Sequence, residues 1–242
     1  MTQLRAFSLI LALTLAGASP ALADQIGDLY RSQAIVTGQG EKNRQAGFRE
    51  CLKQVLVRVS GDQRLTARPE MGQVLSLSAN YVQSFSYEDR LAGKPIHDEQ
   101  GTYDRPHNLI CLFDEEVVDG LLAKLDSHPW REQRPSLAVF LKVKRSESEF
   151  YVSRDTQRDE AMRQSFALGA SPLAMRFAFP SELDAKEWTP SANSPTLAEI
   201  ATWRLFERGQ EHVWNVRGVN FDEAFRVALR GAAQILSGNG SP

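Results

Sequence analysis

The sequence predicts an α+β protein of two small mixed α/β modules, the first running β-α-α-β-β-α and the second a sandwich-like α/β module. Three observations carry this reading. Phe48, Leu52, Val55, Leu56 and Val59 recur with the spacing of one helix face. Tyr81–Glu88 alternates aromatic and polar residues, the period of a strand, and Asn108–Phe113 reads as another strand. Phe221, Phe225, Ala228, Leu229, Ala232, Ile235 and Leu236 line one face of a terminal helix, with Asn220 and Glu223 placed as a capping box.

The elements follow in chain order. Leu29–Val36 reads as a strand ending at the turn Gly38-Gln39-Gly40. The helix through Val59 closes at Ser60-Gly61-Asp62, where Gly61 suits the left-handed position after a helix. A second helix is predicted over Pro69–Asn80, with Pro69 in the tolerated first turn. After the strands at Tyr81–Glu88 and Asn108–Phe113, Asp114 caps a helix reaching Leu125. Residues 128–135, rich in proline and charge, have the composition of a linker.

Beyond it, Leu137–Val143 reads as one apolar strand. Arg154–Leu168 reads as a helix closed by Gly169, and Leu173–Phe179 as another strand. Lys186–Pro195 is a loop, Thr196–Trp203 a short helix, and Arg204–Val216 a final strand or hairpin. The resulting division is a leader over 1–23, one module over 24–127, a linker over 128–135, a second module over 136–236 and a disordered tail over 237–242.

The leader prediction rests on Arg5, the apolar run Ala6–Leu15, Pro20 and the small-x-small sequence Ala21-Leu22-Ala23 before Asp24. That is the pattern of a secretory signal peptide cut between Ala23 and Asp24. The run is about half the ~20 residues that a membrane span needs, and no second stretch is long enough to cross. The expected address is the periplasm.

The formal net charge is −2, and losing Arg5 with the leader makes the mature chain one unit more negative. Without a basic surplus, phosphate neutralisation and hence nucleic-acid binding have no support.

Both cysteines, Cys51 and Cys111, fall in the predicted mature chain. The apolar face of the helix carrying Cys51 must cover a sheet containing Asn108–Phe113, so the two are expected to approach. In an exported protein an even cysteine count fits a disulfide. On the chain-entropy model it would add about 4 kcal/mol. Two buried free thiols are the alternative reading.

The chemical motifs are few. Gly38 and Gly40 precede a helix, but Asn43 stands where a dinucleotide fingerprint needs a third glycine. Signatures of zinc proteases, α/β-hydrolases and penicillin-recognising enzymes are missing. His97 and His107 flank a polar loop with Asp98, Glu99 and Asp104, at a spacing that matches no known metal site. His128 and His212 have no recognisable partners. Asp114, Glu115 and Glu116 open a helix, where carboxylates suit the macrodipole. Trp188 and Trp203 read as core more readily than as stacking platforms. No catalytic, cofactor-binding or metal-binding residue is therefore assigned, and no cofactor is expected.

Ala34–Asp62, with Asn43-Arg44-Gln45-Ala46, Gln54-Val55-Leu56-Val57-Arg58-Val59 and Ser60-Gly61-Asp62, resembles the DUF2066 family of exported bacterial proteins. So do Tyr81–Glu88 and the Arg134-Pro135 lead into the apolar strand that follows, with a looser likeness from 146 to 236. The resemblance implies an exported α+β protein without an assigned activity. A separate analogy of fold points to the amino-terminal domain of flagellar assembly protein T and to the small periplasmic α/β modules of envelope-assembly lipoproteins. The function read from the sequence is a periplasmic, non-enzymatic binding or assembly module for an envelope protein. The alternatives are a cell-wall-acting enzyme with scattered site residues, or a small-ligand binder in the inter-domain cleft. An oligomeric state does not follow from the sequence.

Overall fold

The fold, obtained as a computed structural model, is described for residues 29–93, 105–131, 134–145, 148–187, 196–198 and 202–242. Alternating burial along β1 (Arg31–Thr37) sends Ser32, Ala34 and Val36 inward. α1 (Glu41–Ser60) then buries Phe48, Cys51, Leu52, Val55, Leu56 and Val59, the face read from the apolar spacing. It stops where the sequence predicts. Gly61 sits at φ 73°, ψ −4°, and its N–H bonds the Val57 carbonyl at 2.8 Å.

The second helix is shorter than predicted. α2 spans Met71–Ser76, flanked by 3₁₀ turns at Gln63–Ala67 and Ser78–Asn80. Ser76 Oγ donates back to the Gln73 carbonyl, and Leu77 at φ −99°, ψ 11° leaves helical geometry. Serines that bond their own backbone compete with helix continuation. β2 (Val82–Asp89), β3 (Pro106–Phe113) and α3 (Glu115–Lys124) complete the order β-α-α-β-β-α. Asp114 caps α3 by accepting the N–H groups of Glu116 and Val117.

The three strands form an antiparallel sheet in the order β1-β3-β2. On the central strand, Cys111 lies opposite Ser32 on one side and Phe85 on the other. α1 covers the face carrying Ala34, Val36, Leu109, Cys111 and Phe113. Leu56 has no exposed surface, so Leu56→Ala removes transfer energy and leaves a cavity. The expected loss is about 2–5 kcal/mol, read as a lower denaturation midpoint at unchanged m-value.

A second core surrounds Phe166, Trp203 and Phe225. Here the sequence reading needs four corrections. The single strand predicted over Leu137–Val143 is two, β4 (Ser136–Phe140) and β5 (Lys142–Arg145), with Leu141 between them bonded to the Val152 N–H. β5 pairs with β6 (Ser148–Tyr151) in a separate small sheet.

The helix predicted over Arg154–Leu168 is α4 (Glu160–Ala170), and Gly169 lies within it rather than ending it. A Cβ on Gly169 would stand 3.0 Å from Leu229 Cδ1, so this glycine serves the close approach of α4 to the terminal helix. The next strand, β7, is only Arg176–Ala178, because Leu173 lies in a 3₁₀ turn, Ser171–Leu173.

After α5 (Glu182–Glu187), residues predicted as a helix over Thr196–Trp203 supply strand β8 (Thr196–Ala198) and the start of β9 (Thr202–Glu207). β8 runs parallel beside β4 and antiparallel to β9, and this pairing satisfies its backbone groups in the sheet. The Arg208-Gly209 turn (φ 46° and 78°) joins β9 to β10 (Gln210–Asn215), so of the two readings of Arg204–Val216, strand or hairpin, the structure takes the hairpin. The mixed sheet has the order β10-β9-β8-β4-β7. α6 (Phe221–Leu236) starts as predicted, with Asn220 accepting the Glu223 N–H at 2.9 Å. The helices and small sheets together make an α+β fold.

The two cores meet at the end of α1, where Val57 packs against both. Trp130 donates its N–H to the Val59 carbonyl at 2.7 Å while its ring joins the second core. Arg134 donates to the carbonyls of Trp130, Leu173 and Arg58, and its guanidinium lies over the Trp130 ring. Burial pulls its pKa down to about 10, helped by the nearby Arg58 charge. It remains cationic at neutral pH and meets the carbonyl end of α1, where a positive charge is favoured.

Candidate functional site

Among the described residues, three of the places that gather chemistry-bearing side chains bear on the readings above. The first is the cysteine pair. α1 and β3 bring Cys51 and Cys111 together as free thiols, both without exposed surface, with the sulfurs 2.6 Å apart. Ser32 Oγ donates to the Cys51 carbonyl at 2.9 Å, which ties that turn of α1 to β1. The hydrogen bond to Cys51 and then burial push the Cys111 thiol well above its usual range. Neither thiol is poised as a surface nucleophile.

The second place is a buried polar junction that sequence reasoning missed. Asp62, read from the sequence only as part of a helix stop, has no exposed surface. Its Oδ1 accepts the Arg64 N–H and Gln234 Nε2, each at 3.0 Å, and its Oδ2 accepts Arg68 at 3.0 Å. Burial acts to raise its pKa, but the bonds from Gln234, the Arg64 N–H and Arg68 outweigh it and hold it below the usual carboxylate range. Gln234 also accepts the Gln63 N–H at 2.7 Å. The predicted tail joins in, because Ser237 is buried and Asn239 Nδ2 donates to the Ser60 carbonyl at 3.0 Å. The available signal was Gln234 itself, an amide set between Ala233 and Ile235 in the apolar part of α6.

The third is a hollow of about 250 Å³ beside this junction, lined by His128, Pro129, Trp130, Arg131 and Ser237. Arg131 is already engaged. It donates to the Tyr30 hydroxyl at 2.8 Å and pairs with Asp119 and Glu115. Glu115, from the acidic cluster at the start of α3, is thus an ion-pair partner, while Asp114 is the cap.

The described histidines have separate surroundings. His107 Nδ1 donates to the Arg105 carbonyl at 2.8 Å, leaving Nε2 to accept from Gln39 at 3.1 Å. Its ring lies edge-on to Tyr87. His212 lies opposite Leu205 in the hairpin, and its Nε2 is buried without a hydrogen-bond partner. Trp203 is wholly buried, a core residue as read. His97, Asp98, Glu99, Asp104, Trp188 and the Ala23–Asp24 junction lie outside the described residues. Among the described residues no group of three or more His, Cys, Asp or Glu side chains is arranged to hold a metal ion. None of their helices is long and apolar enough to cross a membrane.

Residues 23–131 match a family model described as a domain of unknown function, DUF8605. The match agrees with a domain of unassigned activity, though not with the DUF2066 name. No curated protein and no solved structure matches the chain.

Proposed function

We propose that the chain is an exported, non-enzymatic binding or assembly module whose partner is a protein of the bacterial envelope. The observation that supports it best is the outer face of the β1-β3-β2 sheet. α1 covers the inner face, while outward residues of β1 and β2 stay exposed. Ile35 is 63% exposed and Leu112 37%. With Ile110, which is diagonal to Ile35 and two residues from Leu112, they form an apolar strip.

The strip is flanked by Gln33, Asn108, Ser84 and Ser86, and among the strand residues of this face charge falls only at Arg31 and Glu88. Such a neutral surface offers nothing to phosphate groups. It suits a protein that covers it with apolar side chains. The leader pattern supports the periplasmic address, and the family match begins at residue 23, so nearly all of that leader lies outside it. The motifs around Ala34–Asp62 also keep kinship with the DUF2066 proteins as our reading.

Crosslinking in intact cells followed by affinity capture tests the proposal. The wild type is expected to hold a specific envelope protein that Ile35→Asp with Leu112→Asp loses. Folding should weaken by about 1 kcal/mol per site, since aspartate suits a strand poorly and Leu112 is only partly exposed, leaving the protein folded. His107→Ala, which gives up two peripheral hydrogen bonds, should leave capture and phenotype nearly intact. Unchanged capture by the double variant overturns the surface assignment. Loss of function in a folded, exported His107→Ala protein would favour the enzyme or metal reading instead.

A further inference from the structure

We infer that Cys51 and Cys111 are a modification site, closed into a disulfide while the chain folds and sealed once α1 has docked on the sheet. The pairing is set by two rigid elements. Cys111 occupies the central strand, with its register held by β1 and β2. Cys51 hangs from α1 directly above it, with its backbone carbonyl tied to Ser32. The sulfurs are already in contact at 2.6 Å, and Cys51 Sγ also lies 3.7 Å from the Leu109 carbonyl. The surroundings are Leu52, Val55 and Leu109, all without exposed surface.

The chemistry balances as a thiol–disulfide exchange. Two S–H bonds break and one S–S bond forms. The two protons and two electrons pass to an external disulfide, which leaves as two thiols. That exchange needs a thiolate to attack a sulfur of the oxidant along the S–S axis, through a mixed disulfide. Two sulfurs with no exposed surface cannot form one while α1 covers them. The oxidant must therefore act before docking, or wait for α1 to lift from the sheet, an opening close to unfolding of this core. The same barrier protects the finished bond from reductant. This separates the pair from an exchange catalyst, which keeps one sulfur at the surface.

The test uses the purified full chain and glutathione, so it stands apart from both the export and the partner proposals. Denatured, reduced protein is refolded in a glutathione redox buffer, trapped by alkylation and mapped by mass spectrometry. The expected product is a single bond between the peptides of Cys51 and Cys111, with a loss of about 2 Da for the two hydrogens. Folded, reduced protein exposed to the same buffer should keep its thiols at least about tenfold longer. Reducing the bond should lower the thermal midpoint by about 10 °C, from the entropy regained by the unfolded chain. A Cys51→Ala, Cys111→Ala protein should show one midpoint with or without reductant. Two alkylated thiols after oxidative refolding, or bonds only between chains, overturn the disulfide. Equal oxidation rates for folded and refolding protein overturn the sealing.

Discussion

Gly61→Val should lower stability by about 3–5 kcal/mol, through backbone strain and overpacking together. The backbone at Gly61 lies in the left-handed region at φ 73°, where a β-branched residue is strained. The space is also occupied. A Cβ would stand 2.6 Å from Ser237 Cβ, 2.7 Å from its Oγ and 3.0 Å from Trp130 Cε3. Ser237 cannot move freely, because its Oγ donates to the Gln234 carbonyl and accepts from Asn239. Urea denaturation of Gly61→Val beside Gly61→Asn separates the causes. Asparagine tolerates the left-handed backbone yet brings the same Cβ, so it should recover only the strain. A Gly61→Val midpoint equal to wild type would mean that the end of α1 and the residues after α6 are not packed as described.

Asp62→Ala should cost about 3–5 kcal/mol, the usual penalty for stripping one partner from a buried charged network. Arg68, the Arg64 N–H and Gln234 would each lose the carboxylate as an acceptor, Arg68 keeping the Leu125 and Asp126 carbonyls and Gln234 the Asn239 carbonyl. The pH dependence has a definite sign. The folded carboxyl is held below its unfolded value, so its stabilisation is present at neutral pH. It is lost as pH falls below the unfolded value near about 4 and through the folded one. Asp62→Asn should therefore be less stable at neutral pH and show a shallower decline in acid. Part of the decline should persist, because buried Asp159 is depressed in the same direction. Burial raises its pKa, but bonds from Arg158 and the Ser153 N–H outweigh that. Parallel acid titrations of wild type and Asp62→Asn, followed by circular dichroism, would reveal the difference. Coincident curves would remove Asp62 from the acid response.

These two adjacent residues show what could be read from the chain alone. Gly61 was legible because a helix end is a local event, and a glycine after a periodic apolar run has one common conformation. Asp62, its neighbour, was not legible. Its value comes from Gln234, a partner 172 residues away that carries no periodic signal. The cysteine pair falls between these cases. Helical and strand periodicity predicted which faces Cys51 and Cys111 occupy, and the fold then brought their sulfurs together. The exposed strip was not read in advance, because alternation distinguishes the two faces of a sheet without saying which one another element will cover.

By itself the sequence determined the elements whose causes lie within a few residues. These are the apolar face of α1 and its glycine stop, the Asp114 and Asn220 caps and the α+β class. Tertiary structure alone decided the rest. Gly169, a helix stop by local rules, became the contact point between α4 and Leu229 of α6. Thr196–Ala198, helical by local reading, became a strand because β4 and β9 offered it hydrogen-bonding edges on both sides. Local rules set what a segment prefers by a few tenths of a kilocalorie per residue. Pairing and burial against distant segments add kilocalories, and where the two disagree the distant partner decides.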